Sequence, residues 1–129
     1  MYQQEPLQEQ INSIIALFSS GQTQEALDNV EALTKDNPNE PLLYNISGAC
    51  YARLGQLDSA VKRYEKAIAI KPDYAEVLNN LGNALKRLGQ LDAAIRSLEK
   101  AIAIKPDYAE AHYNLGDTLQ KLGQLDASV

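Results

Sequence analysis

Five residues, Leu-Gly-Gln-Leu-Asp, occur at 54–58, 88–92 and 122–126, so the same motif returns at one constant step. Lys-Pro-Asp-Tyr occurs at 71–74 and 105–108 on the same step. Pro38 stands one step before Pro72, and Gly21 stands one step before Gly55. Segments 71–92 and 105–126 are identical at 15 of 22 positions, which chance does not give. A period of about 34 residues means one small structural unit stacked on copies of itself. A single unit cannot bury its apolar face alone, so the stack shares a continuous core.

Each unit reads as two helices. In the third, residues 75–108, Leu78, Leu81, Gly82 and Leu85 fall at i, i+3, i+4 and i+7, one helix face. Ala94, Leu98 and Ala101 repeat that pattern, with Ile95, Ile102 and Ile104 widening the stripe. Gly89 between them is placed to take a left-handed cap conformation. Asp92 is expected to cap the next helix. Pro106 stops the second helix, and Asp107 with Glu110 is expected to open the following one as a capping box. Gly82 and Ala94 fall on the inward faces, where small side chains let two backbones approach, while Leu78, Leu85 and Leu98 fill the flanks.

Composition narrows the function classes. Hydrophobic residues make up 45% and charged residues 22%, as in an ordinary folded chain. The net charge of -5 repels a phosphate backbone, so nucleic acid is not expected as a partner. The apolar cluster Ile14–Phe18 is too short to span a membrane and lacks the basic flank of a signal peptide, so no membrane association is expected and the location is read as cytoplasmic. Cys50 is the single cysteine and reads as a small packing residue.

The repeat resembles the tetratricopeptide repeat (TPR) family, whose units carry a large residue, Leu-Gly, an aromatic, Ala, an aromatic and Pro at fixed spacings. Tyr44, Gly48, Tyr51, Ala60, Tyr64, Ala67 and Pro72 match in the second unit, with Ser47 where Leu is usual. Leu78, Leu81, Gly82, Leu85, Ala94, Leu98, Ala101 and Pro106 match in the third. The first unit keeps Leu17, Ala26, Val30 and Pro38 but has Gln10, Ser13 and Ile14 at the opening positions. The fourth starts with His112, Leu115, Gly116 and Leu119, with His112 expected as a half-buried packing residue. The resemblance implies one all-α domain over 1–129, a right-handed superhelical stack of antiparallel hairpins. Its units are 7–40, 41–74, 75–108 and a partial 109–129, giving three full repeats and a final helix.

In such a stack the first helix of each unit lines a concave groove. The inward positions are the second, fifth, sixth, ninth, twelfth and thirteenth of each unit. They collect Asn12, Asn80 and Asn114 at the sixth, Asn45, Asn79 and Tyr113 at the fifth, Asn83 and Asp117 at the ninth, and Lys86 and Arg87 at the twelfth and thirteenth. An amide carries donors and an acceptor, so a row of asparagines can pair with the backbone of an extended peptide. The alternative is that they are soluble residues on an exposed face. The row is similar to the asparagine ladder in the repeat arm of the O-linked N-acetylglucosamine transferase family, with Ile46 interrupting it. The carboxylate clamp of other family members is not matched. Ile11, Asn45 and Asn79 stand at its fifth positions, and the acids Glu76 and Glu110 at second positions would repel a terminal carboxylate.

No catalytic constellation, phosphate-cradling loop or metal-ligand spacing is found in the sequence, so no enzyme activity and no cofactor are expected. The expected function is a scaffold that holds an extended protein or peptide segment in the groove. The alternative is an N-terminal substrate-recruiting arm of a larger enzyme, such as a glycosyltransferase, cut at Val129. Leu115, Leu119 and Leu122 lack a hairpin partner within the chain, so self-association through the last helix is also expected.

Overall fold

The computed structural model describes residues 5–127. It is all-α among those residues, with seven helices: α1 (Leu7–Ser19), α2 (Thr23–Asp36), α3 (Pro41–Arg53), α4 (Leu57–Ile70), α5 (Ala75–Arg87), α6 (Leu91–Ile104) and α7 (Ala109–Ala127). Helices α1 and α2, α3 and α4, and α5 and α6 form three hairpins, and α7 packs on α5 and α6. The expected truncation at Val129 falls outside the described residues.

Glycine makes each hairpin turn. Gly21, Gly55 and Gly89 have φ of 87°, 80° and 83°, a left-handed conformation that a Cβ disfavours. Each turn closes two backbone bonds. At the third, Gly89 N–H donates to Lys86 O at 2.9 Å and Gln90 N–H to Leu85 O at 2.9 Å, the Schellman pattern that satisfies the last carbonyls of a helix. The next helix starts at once, with Gln90 at the N-cap position and no side-chain cap. Asp92 is therefore not the cap. It lies in the first turn, where a carboxylate favours the helix dipole. Helix α7 likewise begins at Ala109, too late for Asp107 to cap it, because the chain enters from the tight turn at 105–108.

Three apolar clusters form one continuous strip. The first joins Ile11, Ile14, Ala26, Val30, Leu43 and Cys50 across the first and second hairpins. The second centres on Tyr44, Tyr64, Val77, Leu81 and Leu85. The third holds Leu78, Leu98, Ala101 and Ala111. Leu43 and Leu98 are fully buried, each contributing about 1.5–3 kcal/mol by area. The expected small-to-large matching is present. A Cβ at Gly48 would stand 2.5 Å from the Tyr64 ring, and one at Gly82 would stand 2.5 Å from Leu98 Cγ. A polar tie crosses the first two hairpins, where Ser47 Oγ and Arg63 Nη2 both donate to the Glu31 carboxylate, at 2.5 and 2.6 Å.

The third Leu-Gly-Gln-Leu-Asp, in the fourth unit, departs from the pattern. Residues 122–126 are helical, and Gly123 is not among the positive-φ glycines. At 54–58 and 88–92 the following helix packs back on the hairpin and holds the turn. Among the described residues nothing packs on that side of α7, so local propensity continues the helix. The corresponding Gly116 has open space where its Cβ would be. His112 is consequently exposed, not half-buried, and its Nε2 lies 2.7 Å from Pro106 O. Tyr44 makes the equivalent bond, its hydroxyl donating to Pro38 O at 2.9 Å, so both side chains anchor the preceding proline turn.

Candidate functional site

The odd-numbered helices lie side by side, α1 on α3, α3 on α5 and α5 on α7, so their free faces form one surface. A pocket of about 250 Å³ on that surface is lined by Ile15, Phe18, Leu42, Asn45, Ile46, Ala49, Glu76 and Asn80, all from α1, α3 and α5. Every one occupies a position expected to point inward. Ile15 is 43% exposed although strongly apolar. Phe18 is half-buried under the Arg53 guanidinium, 3.4 Å from its ring centroid, and Arg53 Nη1 also donates to Phe18 O at 2.5 Å. Sequence reasoning missed the apolar character of this section. Its signal is the set of apolar residues at inward positions of the first two units, which the more regular asparagine series overshadows.

The asparagines bond one another across units. Asn80 Nδ2 donates to Asn45 Oδ1 at 2.9 Å, and Asn114 Nδ2 donates to Asn79 Oδ1 at 2.9 Å. The fifth positions of the second and third units are thus tied to the sixth positions of the units that follow them. Asn45, Asn79 and Asn114 are buried at 6%, 0% and 7% exposure, and Asn79 Nδ2 is sealed off without a hydrogen-bond partner. Tyr74 and Tyr108 give Asn45 and Asn79 a further polar contact, which falls short of hydrogen-bond geometry at Asn79 Nδ2. Burial first, then nearby glutamates, push both tyrosine hydroxyls above their usual pKa. The outer members differ. Asn12 is exposed and accepts a bond from Gln8 at 2.9 Å, while Asn80 and Asn83 are half-buried. With the amide nitrogens of Asn80 and Asn114 engaged, their carbonyl oxygens are the free acceptors.

Charge is arranged less freely than the sequence implied. Lys86 Nζ donates to Asp117 Oδ2 at 2.8 Å, and that bond holds the Asp117 carboxyl below its usual pKa. Lys86 and Asp117 are therefore partners of each other, tying α5 to α7. Arg87 is exposed, and so is Tyr113 at 73%. Glu76 and Glu110, both exposed, stand at the first turns of α5 and α7 and give the opposite rim a negative edge.

The TPR repeat family profile matches residues 48–89 and 82–123, more than half of the chain. The chain belongs to the TPR repeat family. Solved TPR domains overlap it closely. The Sgt2 TPR domain from Aspergillus fumigatus gives a TM-score of 0.88 at 20% identity, over 93% of this chain and 81% of its own. The first TPR of Spaghetti (RPAP3), solved with the HSP90 peptide SRMEEVD, gives 0.84 at 24% identity, over 87% and 89%. The second TPR domain of human RPAP3, solved with the HSP70 peptide SGPTIEEVD, gives 0.81 at 19% identity, over 84% and 91%. At these identities the likeness establishes an all-α TPR solenoid. No curated protein sequence matches the chain. Among the described residues, no helix is long and apolar enough to cross a membrane, and no cluster of three or more His, Cys, Asp or Glu is placed to hold a metal.

Proposed function

We propose that this TPR domain is a protein-interaction scaffold that holds an extended polypeptide segment along the face of α1, α3, α5 and α7. The observation that carries this reading is the apolar pocket on that face, flanked by the half-buried Asn80 with a free carbonyl oxygen. A strand of peptide has N–H groups to offer such acceptors and side chains to fill such a pocket. Two structurally similar TPR domains are solved with peptides bound, which supports the same use of the groove. Asn12, Asn83, Tyr113, Asn114 and Arg87 extend the contact surface in this reading, while Asn45, Asn79, Lys86 and Asp117 hold the units in register. Titrating isotope-labelled chain with capped extended peptides tests it. Amide shifts should map to the odd-numbered helices, and shifts confined to α2, α4 and α6 would refute it.

A second surface has its own observation. Gly116 is open where Gly48 and Gly82 are filled, and Leu119 and Leu125 are 49% and 56% exposed. We propose that α7 supports self-association through this face. Sedimentation velocity over a wide concentration range should give a rising weight-average mass, and an invariant monomer would refute this second reading.

A further inference from the structure

Ile46 interrupts the asparagines at the sixth position, where Asn12, Asn80 and Asn114 stand in the other units. In the structure it is a wall of the pocket formed with Ile15, Phe18, Leu42 and Ala49. The groove is therefore divided. Between Asn12 at one end and Asn45 at its edge, the section over α1 and α3 is dominated by these apolar side chains, and the section over α5 and α7 is polar, with Asn80, Asn83, Asn114 and the Lys86–Asp117 pair. Apolar side chains left in contact with water in a concave pocket gain by covering with another apolar group. Glu76 lines the same pocket, and Glu110 holds the equivalent position of the next unit on the same rim. The chain carries a net charge of -5, so its wider field also favours a cationic occupant. Arg53, beside the pocket wall at Phe18, is committed to the Phe18 ring and carbonyl.

We infer that this pocket takes an aliphatic side chain from an internal, extended polypeptide segment whose lysine or arginine, two residues away, meets Glu76. Two residues is the spacing that puts side chains on the same side of an extended strand. The inference rests on the groove-binding reading above and specifies its ligand. It also separates this TPR domain from partners that end in an acidic carboxylate. The positions that would clamp such an end carry Ile11, Asn45, Asn79, Glu76 and Glu110, with no lysine among them. Like charges on that rim disfavour an acidic tail.

The test uses three probes on isotope-labelled full chain, followed by methyl and amide shifts. The first is an N-acetylated, C-amidated peptide Ser-Thr-Leu-Thr-Lys-Thr-Ser. The second has Glu in place of its Lys, and the third is SRMEEVD. The first probe should move the methyl signals of Ile15, Leu42 and Ile46 and bind about tenfold or more tightly than the other two. Ile46→Asn restores the asparagine series with a residue that three equivalent positions already carry, and it should weaken the first probe about tenfold. Glu76→Lys should reverse the preference between the first and second probes. Unchanged or tighter binding by Ile46→Asn overturns the inference, as does equal binding of the acidic probes. Shifts confined to Tyr113 and Asn114 overturn it while leaving groove binding intact. An absence of shifts with all three probes overturns both.

Discussion

Gly48, Gly82 and Gly116 hold the same place in successive units, and they allow one perturbation to be made in two environments. All three sit inside helices, so replacing each by alanine brings the same gain of roughly 1 kcal/mol in helix propensity. At Gly82 the new Cβ would lie 2.5 Å from Leu98 Cγ, 2.7 Å from Leu98 Cδ2 and 3.3 Å from Ala94 O. Carbon atoms rest at about 3.5–4.0 Å, and Leu98 is fully buried with no room to retreat. Overpacking of this kind costs about 1–3 kcal/mol. At Gly116 nothing lies within 4 Å. Propensity cancels in the difference, so Gly116→Ala should be more stable than Gly82→Ala by about 1–3 kcal/mol. Urea titration followed by circular dichroism at the helix band measures this. Leu98→Ala placed in the Gly82→Ala background should cost less than in the native chain, since it opens the space that the new methyl needs. The close-approach argument is wrong if the two glycine variants agree within about 0.5 kcal/mol.

Three other expectations come from the same structure. Gly89→Ala forces a side chain into φ of +83° and should cost about 1–2 kcal/mol, whereas Gly123→Ala, in helix, should be neutral or stabilising; the same urea titrations decide, and equal losses would contradict the helical reading of 122–126. Asn79→Leu strands the buried Asn114 amide and should cost about 1–3 kcal/mol, while the pair Asn79→Leu with Asn114→Leu should recover much of it; a double variant worse than the single speaks against the inter-unit bond. Burial raises the Cys50 thiol from 9.0 to about 11 and pushes the Tyr64 hydroxyl up as well. The unfolded chain releases these protons first, so the stability they contribute is present below pH 9 and is lost as pH climbs from 9 toward 11 and beyond. Thermal melts should fall over that window, and Cys50 should resist alkylation at pH 8 until the chain unfolds; prompt labelling of native protein would refute its burial.

Much of this fold was legible because helix period, turn glycines and stop prolines repeat together. Gly21, Gly55 and Gly89 each mark a turn that backbone sterics reserve for glycine. Gly82 and Ala94 could be placed at a close approach from spacing alone, and the structure adds that Leu98, read as a flank, is what fills the space over Gly82. Three things were not legible. Asp92 looked like a cap, but the Schellman turn leaves no separate residue for one, a matter of backbone geometry. The asparagines looked like a ligand-facing row, yet the superhelix brings neighbouring units into bonding range and uses Asn45, Asn79, Asn80 and Asn114 in bonds to one another. The apolar pocket at Ile46 depends on three helices meeting, and the stripe Leu42, Ile46 and Ala49 on α3 supplies only one of its walls.

The helical state of residues 122–126 gives α7 a measurable length. It runs 19 residues, against 13 for α3 and α5. At 1.5 Å per residue the excess is about 9 Å. If a helix settled over Gly116 as α4 and α6 settle over Gly48 and Gly82, Gly123 would swing to positive φ and that excess would fold back. A pair of spin labels at Tyr113 and Gln124 would then report docking as a shortening, with no need to identify the helix that docked.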